Sequence, residues 1–390
     1  MPSRTEQKAL GRPGAGPRRV SQAAQQAQPA GEWRAPWPVR DPDATKRPEP
    51  VVPREKKRLA FILSLIGATI VLSVWSLATG SIDCGPLEVI KALIPGRPET
   101  DLSYLIVHLR LPRLISALAV GGILALNGAV LQNVLANPLA SSFTLGITQG
   151  AAFGACLAMI VLPVGATAHV SLSLVALCAF CGSILTSLAV MSLSLLRGMT
   201  PQGLILAGVA ISALLGAGTM SLQYFASDVQ VVSTMFWTFG DLGRGGWQES
   251  AITMSLFLVW LALAIFLAWD FEALKWGETQ AQALGINTRR LRFFSLLLTA
   301  LTTAAATAFF GVIGFVGLIG PHMVRLAFPR AGYMFLLPCA ALFGGTFIIA
   351  ADLLARTMLY PLVLPIGIIC AFAGVPMFLF LLFKSAMSYA

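Results

Sequence analysis

The chain has 390 residues, of which 56% are hydrophobic and 11% are charged, and its formal net charge is +10 at pH 7. A soluble globular domain carries about 25% charged residues, so this composition excludes an ordinary soluble protein. Apolar runs long enough to cross a bilayer recur from residue 59 to the C-terminus. Because these runs are continuous rather than alternating, they exclude a transmembrane β-barrel and predict an all-α polytopic membrane protein.

The N-terminal part of the chain is basic. Residues 1–58 hold 13 Lys and Arg residues and 6 Asp and Glu residues, and they are rich in Pro, Ala and Gln. We predict a disordered cytoplasmic tail over residues 1–56 and a membrane domain over residues 57–390. Basic residues that flank a span stay in the cytoplasm and attract anionic lipid headgroups, so the charge is explained without a nucleic-acid partner.

Ten apolar segments predict ten membrane spans with both termini in the cytoplasm. The spans are 59–80, 113–134, 143–162, 168–196, 202–225, 249–269, 293–312, 314–327, 333–355 and 362–383. The first apolar run is too long and too far from Met1 to be a cleaved signal peptide. With the tail included, this topology places 21 basic residues on the cytoplasmic side and 6 outside, as the positive-inside rule requires.

Two of the outside basic residues flank a proline before the second span, in the motif Arg110-Leu-Pro-Arg113. Proline suits the first turn of a helix, so we predict that the helix begins here. A cation in the first turn is disfavoured by the helix dipole, and Arg113 therefore indicates a functional need. Snorkelling of both side chains to the membrane interface is the alternative explanation.

The second span ends in a segment that combines amide side chains with the helix-breaking pair Asn137-Pro138. We predict a turn at this pair. Amides inside apolar helices need hydrogen-bond partners, which predicts that they tie helices together. These amides are Asn127, Gln132, Asn133 and Gln149.

A cytoplasmic loop at about 271–290 contains a pattern of small, polar and leucine residues over 276–287. This pattern predicts a short helix that ends at Gly285. Such a helix on the inner surface is suited to docking a soluble partner, and a plain solvated connector is the alternative.

The segment from Gly314 to Arg325 is apolar and rich in glycine, and Pro321-His322 interrupts it. We predict a broken helix with a turn at Gly320-Pro321. Helix-breaking residues at membrane depth are tolerated only where protein or a water-filled cavity covers the backbone, which predicts a polar path and hence transport. Its break and the break at Asn137-Pro138 fall on opposite membrane faces, as an inverted repeat would place them. The candidate path residues are Asn137, Pro138, Gly317, Pro321 and His322.

Near the outer end of the ninth span, Asp352 and Arg356 are four residues apart, and this spacing predicts an ion pair on one helix face. Asp352 is the one clear carboxylate within the predicted spans, and proton- or sodium-coupled carriers usually need more.

Motifs for catalysis, for metal binding and for ATP binding are absent from the sequence. There is no G-x-x-x-x-G-K-[ST] phosphate loop and no H-E-x-x-H pattern, and the three histidines lie on different segments. The spacing of Cys178 and Cys181 lacks a second pair. We therefore predict no catalytic residues, no metal site and no cofactor. An ion-coupled secondary transporter is the main alternative to an ATP-driven one, and a membrane enzyme lacks the clustered groups that it needs.

Nine short motifs in order resemble the FecCD-type permeases of ATP-binding-cassette (ABC) importers, and they cover nearly the whole hydrophobic part of the chain. They are Arg110-Leu-Pro-Arg113, Asn137-Pro-Leu-Ala140, Leu145-Gly-Ile-Thr-Gln-Gly150, Leu206-Ala-Gly-Val209, Gly277-Glu278 with Leu284-Gly285, Gly314-Phe-Val-Gly-Leu with Pro321-His322 and Arg325, Ala351-Asp352 with Ala355-Arg356, Leu364-Pro-Ile-Gly367, and Gly374-Val-Pro376.

The resemblance implies a type II importer permease with ten spans per subunit, in the inner or plasma membrane. It implies a homodimer with the path at its interface, two separate ATPase subunits and a periplasmic or lipid-anchored substrate-binding protein. The chain itself would not be an enzyme. The implied cargo is an iron–siderophore first, haem second and cobalamin third.

The resemblance also implies roles for two groups of residues. Arg110, Arg113 and Arg356 would dock the binding protein through carboxylate–arginine pairs. A second group would form the helix that fits into a cleft of the ATPase: Gly277, Glu278, Ala281, Leu284 and Gly285.

Overall fold

A computed structural model describes residues 54–80, 84–94, 100–162, 171–197 and 200–387. Within them lie fifteen α-helices: α1 (Arg54–Ala78), α2 (Pro86–Ala92), α3 (Asp101–Leu105), α4 (Leu111–Val134), α5 (Ile147–Ile160), α6 (Leu172–Arg197), α7 (Pro201–Tyr224), α8 (Asp228–Thr238), α9 (Trp247–Phe266), α10 (Ala268–Leu274), α11 (Glu278–Ala283), α12 (Thr288–Phe310), α13 (Val316–Ala327), α14 (Tyr333–Thr357) and α15 (Ile366–Met387). The all-α class is confirmed. Of the predicted tail, residues 1–53 lie outside the described residues, and α1 begins at Arg54.

Each of the ten predicted spans contains one helix. Seven helical segments of the described residues are long and apolar enough to cross a membrane: α1, α3 continued into α4, α6, α7, α9, α12 and α14. Of the other three, α5 has 14 residues and α13 has 12, while α15 has 22. The chain is therefore a multi-pass helical membrane protein in which two spans are short.

Helix α4 lies at the centre of the bundle. Its residues are buried almost continuously from Ser116 to Val134, and it packs against α9, α12, α13 and α14. Gly128 faces the backbone of Gly317 on α13, where any side chain at residue 128 would overlap a carbonyl oxygen. Gly121 meets Gly344 on α14 in the same way. Small residues let helix backbones approach closely, which is how helices associate in membranes.

The ends of α4 define two faces of the bundle. At one end of the bundle α4 begins and α1 and α14 end. We call this end the arginine face, because Arg113 and Arg356 lie there. We call the opposite end the loop face, where α4 stops and where α10, α11 and the start of α12 lie. The 24 residues of α4 separate the two faces by about 36 Å.

The predicted helix start at Arg110-Leu-Pro-Arg113 is wrong. A π-helical turn, Ile106–Arg110, joins α3 to α4, so helical backbone continues through Pro112. The Leu111 N–H donates to the Ile106 carbonyl, which is the wider pairing of a π turn. Arg113 therefore does not lie at a free helix N-terminus, and the dipole argument for its function does not hold.

The predicted turn at Gly320-Pro321 is also wrong, because α13 runs through Pro321 without a break. The chain reverses earlier, between α12 and α13, where Gly311 and Phe315 have φ angles of 78° and 66°. Proline cannot donate to the carbonyl four residues before it, which is that of Gly317. The side chain of Gln132 supplies the missing donor, since its Nε2 lies 3.3 Å from the Gly317 oxygen.

The predicted turn at Asn137-Pro138 is confirmed between α4 and α5. The Asn137 side-chain oxygen accepts the Leu139 N–H at 2.8 Å, and Ala136 takes a positive φ of 46°. This is the local pairing by which asparagine stabilises a turn. Pro138 is exposed on the loop face.

The contact of Gly128 with Gly317 can be tested by adding a methyl group. Gly128→Ala should lower the free energy of unfolding in detergent by about 1–3 kcal/mol, because the new Cβ forces α4 and α13 apart. Gly67→Ala is the control, since a Cβ on that α1 residue meets no atom within 4 Å. Equal stability of the two variants in chemical denaturation would contradict the close packing.

Candidate functional site

One buried carboxylate, Asp352, is shared by two arginines on the arginine face. Arg113 on α4 donates from Nε and Nη2 to Asp352 Oδ1 at 2.9 and 2.8 Å. Arg356 donates from Nε to Oδ2 at 3.0 Å, which confirms the predicted pair. The Asp352 side chain is 3% exposed, and a charge this deeply buried requires bonded counter-charges. The shared carboxylate therefore ties α4 to α14.

Arg356 and Arg110 also hold the end of α1. Arg356 donates to the Thr79 carbonyl at 3.1 Å and to the Ser76 hydroxyl at 2.7 Å. Arg110 donates to the Leu77 carbonyl at 2.6 Å and is buried. The last carbonyls of a helix lack intrahelical partners and carry partial negative charge, so cations stabilise them. Three helices thus meet at this cluster.

The exposed edge of the cluster carries Asp241 and Arg244. Asp241 Oδ1 lies 3.7 Å from Arg113 Nη2, and its side chain is 45% exposed. Arg244 donates to the carbonyl of Phe236 at 2.6 Å, at the end of α8. Burial lowers the pKa of Arg244, and the nearby Asp241 carboxylate offsets part of this lowering. The guanidinium stays protonated. We call these six residues the arginine cluster: Arg110, Arg113, Arg244, Arg356, Asp241 and Asp352.

Exposure differs among the three arginines that the sequence singled out. Arg110 is buried, while the side chains of Arg113 and Arg356 are 18% and 11% exposed. A partner that approaches this face would meet Asp241 and the outer part of Arg113 first. The docking role of the three arginines stays a prediction.

On the loop face, α11 ends as the sequence predicts. The Gly285 N–H donates to the Gln282 carbonyl at 2.9 Å, and the Ile286 N–H donates to the Ala281 carbonyl at 3.0 Å. This pair of bonds is a Schellman motif, and it needs the positive φ of 85° at Gly285. The bonds make α11 a defined helix rather than a loose connector.

Glu278, the first residue of α11, anchors the helix to α12. Its carboxylate accepts the Thr288 hydroxyl at 2.9 Å and Arg292 Nη2 at 3.3 Å. Gly277 precedes it with a φ of 112°, and Ala281 is fully buried. Leu284 is 71% exposed at the other end of α11, where it presents an apolar side chain to a partner.

An open groove runs beside α11. Its cavity measures about 530 Å³ and is lined by the end of α9, the start of α10, the turn after α11 and the first half of α12. The lining is mostly apolar, with side chains such as Phe294, and it includes the charged residues Asp270 and Arg290. A surface of this kind suits a protein partner better than a small polar ligand.

The candidate path residues Gly317, Pro321 and His322 all lie on α13. Gly317 packs on Gly128, Pro321 is buried, and His322 Nδ1 bonds to the Leu318 carbonyl at 2.8 Å. Of these three, Gly317 belongs to the α4–α13 contact. Asn137 and Pro138 lie in the turn after α4 at the loop face, where the Asn137 N–H donates to the Gln132 carbonyl at 3.1 Å.

The amide of Asn127 ties three elements together in the middle of α4. Its Oδ1 accepts Trp260 Nε1 from α9 at 2.7 Å, and its Nδ2 donates to the hydroxyls of Thr302 and Thr303 on α12. Thr303 in turn bonds to Ser142 at 2.8 Å. The predicted role of the amides as helix ties is confirmed here and at Gln132 and Asn133.

Two residues that the sequence did not single out for function stand out in the structure. Asp241 borders the arginine cluster, and its acidic side chain beside Arg244 in an outer segment was a usable signal. Gln132 completes the backbone pairing of Pro321. A proline inside an apolar helix calls for a substitute donor, so a search for nearby amides could have found it.

Comparisons with known proteins agree with this architecture. Residues 68–384 match the FecCD transport family. MJ0087 of Methanocaldococcus jannaschii is 42% identical over 84% of this chain and 95% of that protein. The hemin transport system permease HmuU of Yersinia pestis is 35% identical over 82% of this chain and 95% of that protein. The inward-facing structure of a metal-chelate type ABC transporter superposes with a TM-score of 0.72 and 30% identity, covering 85% of this chain and 99% of that one.

The shared carboxylate can be tested by removing its charge. Asp352→Asn should lower the free energy of unfolding in detergent by about 3–5 kcal/mol, because two buried arginines lose their counter-ion. Asp241→Asn is the control, and its exposed ion pair should contribute about 0–1 kcal/mol. A loss at Asp352 no larger than the loss at Asp241 would show that the buried pairing is not structural.

Proposed function

This chain belongs to the FecCD transport family, and from that membership we propose that it works as the membrane-spanning permease of an ABC importer that carries a metal chelate into the cell. The match over residues 68–384 carries the proposal, because it covers all ten membrane helices except the start of α1 and the end of α15. ATP hydrolysis would take place on separate subunits. The relatives are transport subunits, which supports a transport role rather than an enzymatic one for this chain.

The cargo we propose is an iron–siderophore, with haem second and cobalamin third. HmuU is named for hemin, and the solved relative is of the metal-chelate type. In importers of this kind a separate binding protein selects the cargo, so the permease needs few specific groups of its own.

We assign the loop face to the cytoplasm and the arginine face to the outside, with both termini in the cytoplasm. The loop face exposes Arg289, Arg290 and Arg330, and Lys56 and Lys57 are exposed at the start of α1, the end of that helix away from the arginine face. The positive-inside rule supports this orientation. The arginines on the opposite face run against the rule, but their bonds to Asp352 and to the end of α1 give them a structural reason to be there.

Helix α11 would bind the ATPase subunit. It is held by a Schellman motif at one end and by Glu278 at the other, so it can transmit force. Trp276 and Leu284 are exposed beside it, and the groove next to Gly285 widens the surface available to a partner. We propose two ATPase subunits, one for each permease copy.

The arginine cluster would receive the substrate-binding protein. The partly exposed guanidinium of Arg113 would favour an acidic group on that partner, and electrostatic complementarity of this kind speeds association and fixes orientation. Arg113 would make the direct contact because it is partly exposed, while Arg110 would hold α1 in place. The binding protein would be periplasmic or lipid-anchored.

The permease would work as a homodimer with its path at the interface. Helix α7 supports this proposal, because few of its residues are buried within one chain. A Cβ at Gly216 on α7 would meet no atom within 4 Å, so a second helix can approach this surface closely. Leu214 and Met220 extend the exposed apolar surface of α7.

An ion-coupled secondary transporter fits the structure less well. Such a carrier needs a carboxylate that can release and take up protons or sodium ions within the membrane. Asp352 is bonded to Arg113 and Arg356 at the same time, so its charge is already compensated.

Uptake by reconstituted protein tests the proposed function. Proteoliposomes that hold the permease, its ATPase subunits and its binding protein should accumulate one of three probes: a ferric hydroxamate siderophore, haemin or cyanocobalamin. Uptake should require ATP inside the proteoliposomes and should continue after a protonophore is added. Uphill accumulation by the permease alone would overturn the proposal and favour the secondary transporter.

The ATPase contact is tested by changing an exposed residue of the loop face. Leu284→Asp should reduce copurification of the ATPase subunit by about tenfold or more, as loss of a central contact does. Val229→Asp is the control, because Val229 is similarly exposed, at 77%, but lies on α8. Full retention of the ATPase by Leu284→Asp would place the contact elsewhere. Glu278 is unsuitable for this test, since it also holds α11 to α12.

A further inference from the structure

The last three residues of α4 bond to three different elements. Gln132 Nε2 donates to the Gly317 carbonyl of α13 at 3.3 Å. Asn133 Nδ2 donates to the Phe271 carbonyl of α10 at 2.8 Å. The Val134 carbonyl accepts Arg292 Nε of α12 at 3.1 Å. We call residues 132–134 the α4 junction.

Two of these bonds reach the elements that hold α11. Helix α10 leads into α11 through the turn after Leu274. Arg292 bonds to Glu278, the first residue of α11, as well as to the junction. Any displacement of α11 therefore acts on the end of α4 through both neighbours.

The remaining bond, from Gln132, reaches the Gly317 carbonyl of α13, which the backbone N–H groups of α13 do not pair. Pro321 has no N–H, and the Gly317 carbonyl would otherwise be left without a donor inside the bundle. Gln132 is buried, so its amide has little competition from water. It is the link between α13 and the junction.

Arg325 fixes the orientation of this amide. Its Nη1 donates to Gln132 Oε1, and a guanidinium can only donate. The amide oxygen must therefore face Arg325, which leaves Nε2 facing the Gly317 carbonyl. Arg325 also reaches the hydroxyl of Tyr333 at 3.5 Å, and the Tyr333 N–H donates to Glu272 on α10 at 2.8 Å. A second polar connection thus joins α13 to α10.

We propose that Gln132 is a positioning residue that couples movement of α11 to movement of α13. Its two bonds make α13 follow the α4 junction, and the junction follows α11 through α10 and Arg292. The proposal rests on the proposed function, because it needs an ATPase subunit that moves α11.

A thiol reporter at Gly314 can follow α13 without knowledge of the cargo. Gly314 precedes α13, and a Cβ there meets no atom within 4 Å. The test uses Gly314→Cys in a chain whose six native cysteines are replaced by alanine, assembled with its ATPase subunits. The rate of labelling by a fluorescent maleimide is compared between ADP and vanadate-trapped nucleotide.

With Gln132 present, the nucleotide should change the labelling rate by about fivefold or more, the usual range of coupled sites. Gln132→Met keeps the volume of the side chain but removes both bonds, and it should abolish this change while ATP hydrolysis continues. Gln149→Met on α5 is the matched control and should keep the response. A full response in Gln132→Met would overturn the positioning role.

A second variant separates positioning from general damage. Pro321→Ala adds a backbone N–H at residue 321 that can donate to the Gly317 carbonyl. Helix α13 then no longer needs the amide of Gln132 for this bond. In a double-mutant cycle, Gln132→Met should then disturb the response of α13 less than it does beside proline. Equal effects in both backgrounds would overturn the proposal. If the assembled complex that contains Gln132 hydrolyses ATP but the labelling rate does not respond to the nucleotide, this inference is overturned, while the uptake measurement still decides the proposed function separately.

Discussion

Two arginines around one buried aspartate hold the arginine face of the helix bundle together. Asp352 bonds to Arg113 of α4 and Arg356 of α14, and Arg356 also bonds to the Ser76 carbonyl at the end of α1 and to the Thr79 carbonyl just beyond it. The Asp352 carboxylate is buried from water, so it depends on these bonded counter-charges. The same bonds give the arginines a structural reason to lie at this face.

Helix α4 repeats this principle along its length. Asn127 bonds α9 and α12 in the middle of the bundle, and residues 132–134 bond α10, α12 and α13 at the loop face. Between these polar points, Gly121 and Gly128 let α14 and α13 lie against the α4 backbone. Helix association in a membrane depends on such contacts, because the lipid is as apolar as the side chains. The arrangement connects the face proposed for the binding protein to the face proposed for the ATPase.

Most of the fold could be predicted from the sequence, because bilayer thickness sets the length of an apolar helix. Local spacing also predicted the bond between Asp352 and Arg356 and the cap at Gly285. The bond between Arg113 and Asp352 could not be predicted, since 239 residues separate them and no local pattern records the contact. Pro321 misled the prediction for a similar reason: the donor that lets α13 continue comes from Gln132 on another helix.

We expect the permease to be a passive part that its partners move from the loop face, with α4 as the rigid element. Cryo-electron microscopy of the chain in lipid nanodiscs, together with its ATPase and binding-protein partners, would test this claim most directly. We predict that an ATPase subunit covers α11 and that Asp352 keeps both arginines in every nucleotide state. A map in which α11 is bare while the ATPase sits on another surface would contradict it.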